Sequence, residues 1–265
     1  MSNEFPKFTE VIRNNNRCNN YESELCHFLD DCSTASNSAD LTSKKEEFIC
    51  RNYSTRNKIG RKLDLYDTEY DIVIEKLLTT CGTLIDYVCP RCGKKETTST
   101  PQYKAFFNDF TKNLHPADAV QAVFNLQQLF ASKTCPKKEC NADTAAAMDV
   151  VDKSFVEASP WIIPIKLHFI SFGLIFGLNQ LHMLPLTVIH NGYTYILAGI
   201  TFLKDHHFRS ILAVPGGYIH YDGLQDDPPV VVSFTDAVDS MAALGALIQT
   251  IIYLKTTKPK KKPKL

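Results

Sequence analysis

The chain has 265 residues, 44% hydrophobic and 22% charged, a composition that describes a globular protein and excludes a wholly disordered one. Acids and bases balance to a formal net charge of zero, so no overall field draws the body toward nucleic acid or anionic lipid. Nine cysteines follow an N-terminus (MSNEFPKFTE) without a basic stretch leading into an apolar run, which argues against a secreted disulfide framework and for thiols, metal ligands or a nucleophile.

Residues 1–88 mix Asn-rich turns with helical segments. Tyr21–Asp31 has the spacing of a short amphipathic helix, and Leu63–Thr80 places apolar residues near helical period with Gly82 as a stop. Residues 89–153 open on one cysteine pair, enclose the amphipathic stretch Ala117–Ala131 and a second pair, and end in the connector Asn141–Lys153. Over 154–254 the pattern turns to β. Strands are expected at Trp161–Phe169, Leu184–Ile189, Tyr195–Leu203, Phe208–Val214, Tyr218–Tyr221 and Leu247–Leu254. The uncharged span Leu167–Leu203 is interrupted by polar residues such as His168, Asn179 and His190, so buried strands are expected and no membrane span. Residues 255–265 form a basic tail.

Cys89-Pro-Arg-Cys92-Gly93 puts two thiols on a tight turn where glycine relieves the backbone, and Cys135-Pro-Lys-Lys-Glu-Cys140 follows after 42 intervening residues. Two such pairs supply a closed tetrahedral set of four cysteines with no open position, hence one structural Zn2+ site and no organic cofactor. The second pair has a looser spacer. Lys94, Lys95, Lys137 and Lys138 suit a centre whose thiolate charge zinc only half cancels. Unpaired thiols, or a redox dithiol at Cys89 and Cys92, are the alternative.

Tyr195–Gly223 places His207 at the head of one strand and Asp222 at the tail of the next, joined by Pro215-Gly216-Gly217. A hairpin turning there carries Asp222 back toward His207, as a carboxylate must lie to orient an imidazole. A three-residue loop pairs Asp222 with about position 210, leaving a gap for a bulge or bend to close. His220 shares the face of Asp222 and is a rival partner. Two ordinary strands with a surface His and Asp remain the plain alternative. His27, His115, His168, His182 and His190 have no supporting constellation.

Taken together, the ribbon-like cysteines, His207-Phe208 and Tyr221-Asp222 resemble the ubiquitin-specific protease family. That resemblance covers about Leu63–Leu254. It implies an α+β, papain-like cysteine peptidase: a helical thumb in 1–88, zinc-ribbon fingers in 89–153 and an antiparallel β palm in 154–254. It also implies attack by a thiolate on the isopeptide bond after the C-terminus of ubiquitin or a ubiquitin-like modifier, with His207 as base and acid and Asp222 as its orienter. The match to the family's cysteine box is Asn14-Asn15-Asn16-Arg17-Cys18, making Cys18 the nucleophile and Asn16 or Asn14 an oxyanion donor. The box departs from the family's pattern, lacking its glycine and the aromatic after cysteine, and His206 replaces the glycine before the histidine. Cys26 then reads as a core thiol and Cys32 as a loop thiol. An inactive relative that binds a ubiquitin-like protein or scaffolds is the alternative, and a zinc-ribbon nuclear protein that binds nucleic acid is a weaker one.

Lys258-Pro-Lys-Lys-Lys-Pro-Lys-Leu resembles a short nuclear-import signal, with an import receptor as partner and a nuclear or cytoplasmic location. The lysines have no interleaved aromatics, so sequence-specific nucleic-acid binding is not expected; a solvating tail or a nonspecific patch for RNA or lipid is the alternative.

Overall fold

Strands rich in β-branched and aromatic residues between Ile162 and Lys255 build the largest sheet of the computed structural model. The structure describes residues 13, 20–34, 36–53, 58–59, 62–63, 83–100, 104–106, 116–125, 133–141, 146–155, 159–168, 178–205, 207–222 and 230–256. The class is α+β. The chain divides into a smaller unit, Pro6–Thr80, and a larger one built on Cys81–Leu265.

In the smaller unit, α1 (Asn20–Ser33) and α2 (Ser38–Tyr53) pack as a helical pair. Phe28 stacks on Phe48 with ring centroids 4.6 Å apart, and the hydroxyls of Tyr21 and Tyr53 lie 2.8 Å from each other. Cys26 is buried in this pair, and burial pushes its thiol up. Asn37 caps α2 by accepting a hydrogen bond from the Asp40 amide, while Asp40 accepts one from the Ser36 amide, a reciprocal cap. A short hairpin follows, β1 (Lys58–Ile59) with β2 (Lys62–Leu63). Leu63, expected to start a helix, lies in β2; residues 64–80 of that expected helix lie outside the described residues.

Among the described residues the larger unit holds two sheets. In the smaller sheet, β3 (Thr83–Val88) is flanked by β4 (Lys95–Thr100) and β6 (Asp149–Phe155), all antiparallel. β6 overlaps the expected connector: its residues pair along β3 instead of running as coil.

The larger sheet runs β12 (Val231–Val232), β11 (Gly217–Asp222), β10 (His207–Val214), β9 (Tyr193–Lys204), β13 (Leu247–Lys255), β7 (Ile162–His168) and β5 (Lys104–Phe106). β8 (Thr187–His190) pairs with the first residues of β9. Every pairing is antiparallel except β5 with β7. The expected strand from Leu184 starts only at Thr187; a 3-10 turn, Leu178–Met183, precedes it, and the Pro185 carbonyl accepts a hydrogen bond from Tyr253. Helix α3 (Pro116–Phe124) ends earlier than its apolar spacing suggests, with Asn125 in a turn and residues 126–131 outside the described set.

Phe124 closes that helix and is fully buried, edge-on to Tyr195 at 5.2 Å and to Tyr253 at 5.5 Å. These three rings, with Trp161 just ahead of β7, are among the bulkiest buried side chains of the unit. Helix α4 (Phe234–Leu244) is not among the expected elements, although Ala237, Val238 and Met241 fall at helical spacing and are buried. Its ends are marked as well: Ser233 accepts from the Asp236 amide, and Gly245 follows the last turn. Lys204 of β9 donates to the Leu244 carbonyl, placing a cation at the helix C-terminus.

Candidate functional site

The β10–β11 hairpin turns on two residues, Pro215 and Gly216, not three. Val214 pairs with Gly217 and Arg209 pairs with Asp222. Gly217 is confined to glycine by β12, because a Cβ there would stand 2.5 Å from the Val232 carbonyl oxygen. With this tighter turn no bulge is needed. His207 lies two residues before Arg209 on the same face of β10, diagonal to Asp222 and within side-chain reach.

The geometry is tight. His207 Nε2 stands 2.5 Å from Asp222 Oδ1, and Arg209 Nε donates to Asp222 Oδ2 at 2.9 Å. The Asp222 side chain is only 4% exposed, against 23% for His207 and 20% for Arg209. A carboxylate so far from water needs charged or hydrogen-bonded partners to stay ionised, and here the Arg209 guanidinium and the His207 ring both meet it. With Nε2 against a carboxylate that can only accept, the neutral His207 ring carries its proton on Nε2 and its lone pair on Nδ1.

His220 sits two residues from Asp222, but its buried Nε2 has no hydrogen-bond partner among the described residues. Burial lowers its basicity, Asp222 opposes that effect and Arg209 adds to it. The carboxylate is therefore engaged by His207 and Arg209. Arg209 is the residue that sequence reasoning missed. Its signal was present: two residues beyond His207 on one strand, an arginine must share its face.

Cys18, Asn14, Asn16, His115 and His206 lie outside the described residues. Of Cys32 and His168 only the backbone is described. His27 is exposed on α1, His182 pairs with Asp239 at 3.0 Å, and His190 packs edge-on to Phe124 and Phe155.

The second cluster is built by the small sheet. β3 delivers Cys89, and the turn to β4 holds Cys92, with Gly93 at φ +66 donating its amide to the Cys89 carbonyl. Cys135 is fixed by the hydrogen bond its backbone N–H donates to the Ala146 carbonyl, and Cys140 lies in the 3-10 turn Lys138–Asn141. All four sulfurs lie within 4.8 Å of one another, with Cys89 to Cys140 at 3.9 Å and Cys92 to Cys135 at 3.7 Å. A tetrahedral centre with metal–sulfur bonds of about 2.3 Å has edges of about 3.8 Å. A disulfide would need a separation of about 2.05 Å. The set can hold a metal ion.

Its electrostatics agree. Burial raises the Cys89 thiol, but the amides of Cys92 and Arg91 and its thiol neighbours outweigh this and bring it down to about 7. Cys140 is pushed up to about 12 by its contact with Cys92 and by burial. Four such thiols cannot all ionise without a cation among them. Of the lysines expected to compensate this charge, Lys94 pairs with Glu96 at 2.8 Å; Lys133, which is not among them, also reaches Glu96 at 2.8 Å.

The fold and these two clusters define an α+β protein with a metal-competent tetracysteine centre on a small sheet and a His-Asp-Arg network on a larger one. A family model matches residues 15–248, and the chain belongs to that family, described as dopamine receptor-interacting protein 1. No curated protein matches the chain. Membership of the ubiquitin-specific proteases, expected from the sequence, is overturned by this match. That resemblance rested on the two cysteine pairs, a degenerate cysteine box at Cys18, the His207-Phe208 and Tyr221-Asp222 dipeptides and their order along a β-rich chain, short signatures that unrelated folds can share. No helix among the described residues is long and apolar enough to cross a membrane.

Proposed function

We propose that the chain is a thiol hydrolase of the isopeptidase kind, acting on proteins joined through lysine to ubiquitin or a ubiquitin-like modifier. What supports the reading is one observation: buried Asp222 holds His207 by Nε2 and leaves Nδ1 as the base. In this reading the large sheet is the palm of a papain-like scaffold. His207 takes the proton of a cysteine thiol, and the thiolate attacks the isopeptide carbonyl carbon. The carbon–nitrogen bond breaks as His207 returns the proton to the lysine amine. Water then attacks the thioester, giving its proton to His207, and the carbon–sulfur bond breaks to free the enzyme. Cys18 is the nucleophile and Asn16 the oxyanion donor on sequence grounds alone.

The four cysteines Cys89, Cys92, Cys135 and Cys140 hold one structural Zn2+ in this proposal, and no organic cofactor is required. The lysine cluster of the tail serves nuclear import.

A second reading is a non-catalytic interaction protein. Two things favour it: Arg209 already neutralises Asp222, and the family is described as interacting with a receptor. Ubiquitin and SUMO carrying a C-terminal electrophile separate the two. Covalent capture lost in Cys18→Ala and in His207→Ala supports the hydrolase. Noncovalent binding without capture supports the second reading, and neither capture nor binding defeats both in their ubiquitin-like form.

A further inference from the structure

We infer that Arg209 is a positioning residue: it locks the Asp222 carboxylate so that Oδ1 faces His207, and so fixes the tautomer of the proposed base. The inference rests on the hydrolase reading for its catalytic consequence, but not for its geometry.

Three observations carry it. Arg209 is the direct cross-strand partner of Asp222, so backbone register sets their approach and no flexible loop intervenes. Its Nε, on the inner edge of the guanidinium, donates to Oδ2 at 2.9 Å, which gives that oxygen a directed partner and leaves Oδ1 toward His207. On its other side Arg209 pairs with fully buried Phe202 of β9, so its stem is bounded by Phe202 and Asp222 along one face. The carboxylate is thereby divided. Oδ2 accepts from a permanent cation, and Oδ1 stands at the imidazole.

A rotating carboxylate would offer His207 either oxygen at varying distance, and the ring could exchange its proton between nitrogens. A locked one keeps the proton on Nε2. The role is distinct from bulk charge balance, which any cation in the neighbourhood could provide. Lysine at 209 keeps the charge and the stem but loses the planar donor.

The test is the imidazole nitrogen and proton NMR spectrum of His207 in the full chain, compared among wild type, Arg209→Lys and Arg209→Met. The wild type is expected to show the Nε2-protonated tautomer with a downfield, slowly exchanging Nε2 proton. Arg209→Lys, the variant safest for folding, should broaden or shift that proton upfield, and Arg209→Met should abolish it. A wild-type signal retained in Arg209→Lys overturns the inference, whether or not Arg209→Met folds. Capture by the ubiquitin electrophile supplies the second readout: about a ten- to hundredfold slower rate is expected in Arg209→Met, with partial recovery in Arg209→Lys. Wild type that shows the tautomer yet captures neither ubiquitin nor SUMO probe sinks the hydrolase reading while leaving the role of Arg209 standing.

Discussion

Cys89 Sγ and Cys140 Sγ lie 3.9 Å apart although 51 positions separate them in the chain. Nothing between them in sequence imposes that distance. It comes from β3 ending at the knuckle and from the Cys135 and Met148 amides bonding back across the Lys133–Met148 segment.

Stoichiometric zinc is expected in protein purified without chelator, measured by atomic emission. Cys140→Ser should lose it, and because ligand binding to the folded state is folding free energy, a fall in thermal midpoint should follow. Metal affinity should weaken as pH falls, since thiolates and not thiols bind. Unchanged thermal stability on removal by chelator would mean that the small sheet stands without a cation.

Asp222→Asn should be the more informative change at the hairpin. It retains the shape of the side chain but can present an N–H to His207 Nε2 and forces the opposite tautomer. Electrophile capture is expected to drop by about a hundredfold or more. An Asp222→Asn protein that captures at the wild-type rate would remove Asp222 from the proposed chemistry.

Burial lowers the basicity of His190, which packs between Phe124 and Phe155. A histidine depressed in the folded state favours folding while neutral, above its unfolded value of about 6.5, and that contribution is lost as pH falls through the folded value. The urea midpoint should therefore decline from about pH 7.5 to about pH 5.5, and less steeply in His190→Phe. Parallel slopes for the two proteins would assign the acid sensitivity elsewhere, His220 being the next group shifted in the same direction.

Phe124 sits at the meeting of α3 with the sheet, in contact with Tyr195 and Tyr253. Phe124→Ala should cost about 3–5 kcal/mol, read from denaturant unfolding, because the aromatic walls cannot collapse onto the space left. Lys204→Met is expected to cost only about 1 kcal/mol, the value of one charge-assisted bond at a helix C-terminus. A larger loss for Lys204→Met than for Phe124→Ala would mean that α4, not the aromatic cluster, anchors the unit.

Local chemistry made parts of this protein legible. The strands Tyr193–Lys204 and Leu247–Lys255 declare themselves by β-branched and aromatic runs, and the Cys89–Cys92 knuckle by its glycine. α4 was equally legible, since Ser233 and Gly245 mark its ends and Phe234, Ala237, Val238, Met241 and Leu244 keep helical spacing, yet it is absent from the expected elements. Family membership was misread, because the His207-Phe208 and Tyr221-Asp222 dipeptides carry little information about what surrounds them.

The amino-acid sequence by itself determined an α+β chain with a β-rich second half, the four cysteines able to share a cation, and the pairing of His207 with Asp222 as one option open to the hairpin. Tertiary structure decided that the hairpin turns on two residues, that Arg209 therefore faces Asp222, and that His220 is left out. The reason is register. Side-chain identity is written residue by residue, but which residues stand opposite depends on the length of the turn, and here Gly217 pairs with Val214, leaving only Pro215 and Gly216 in the loop.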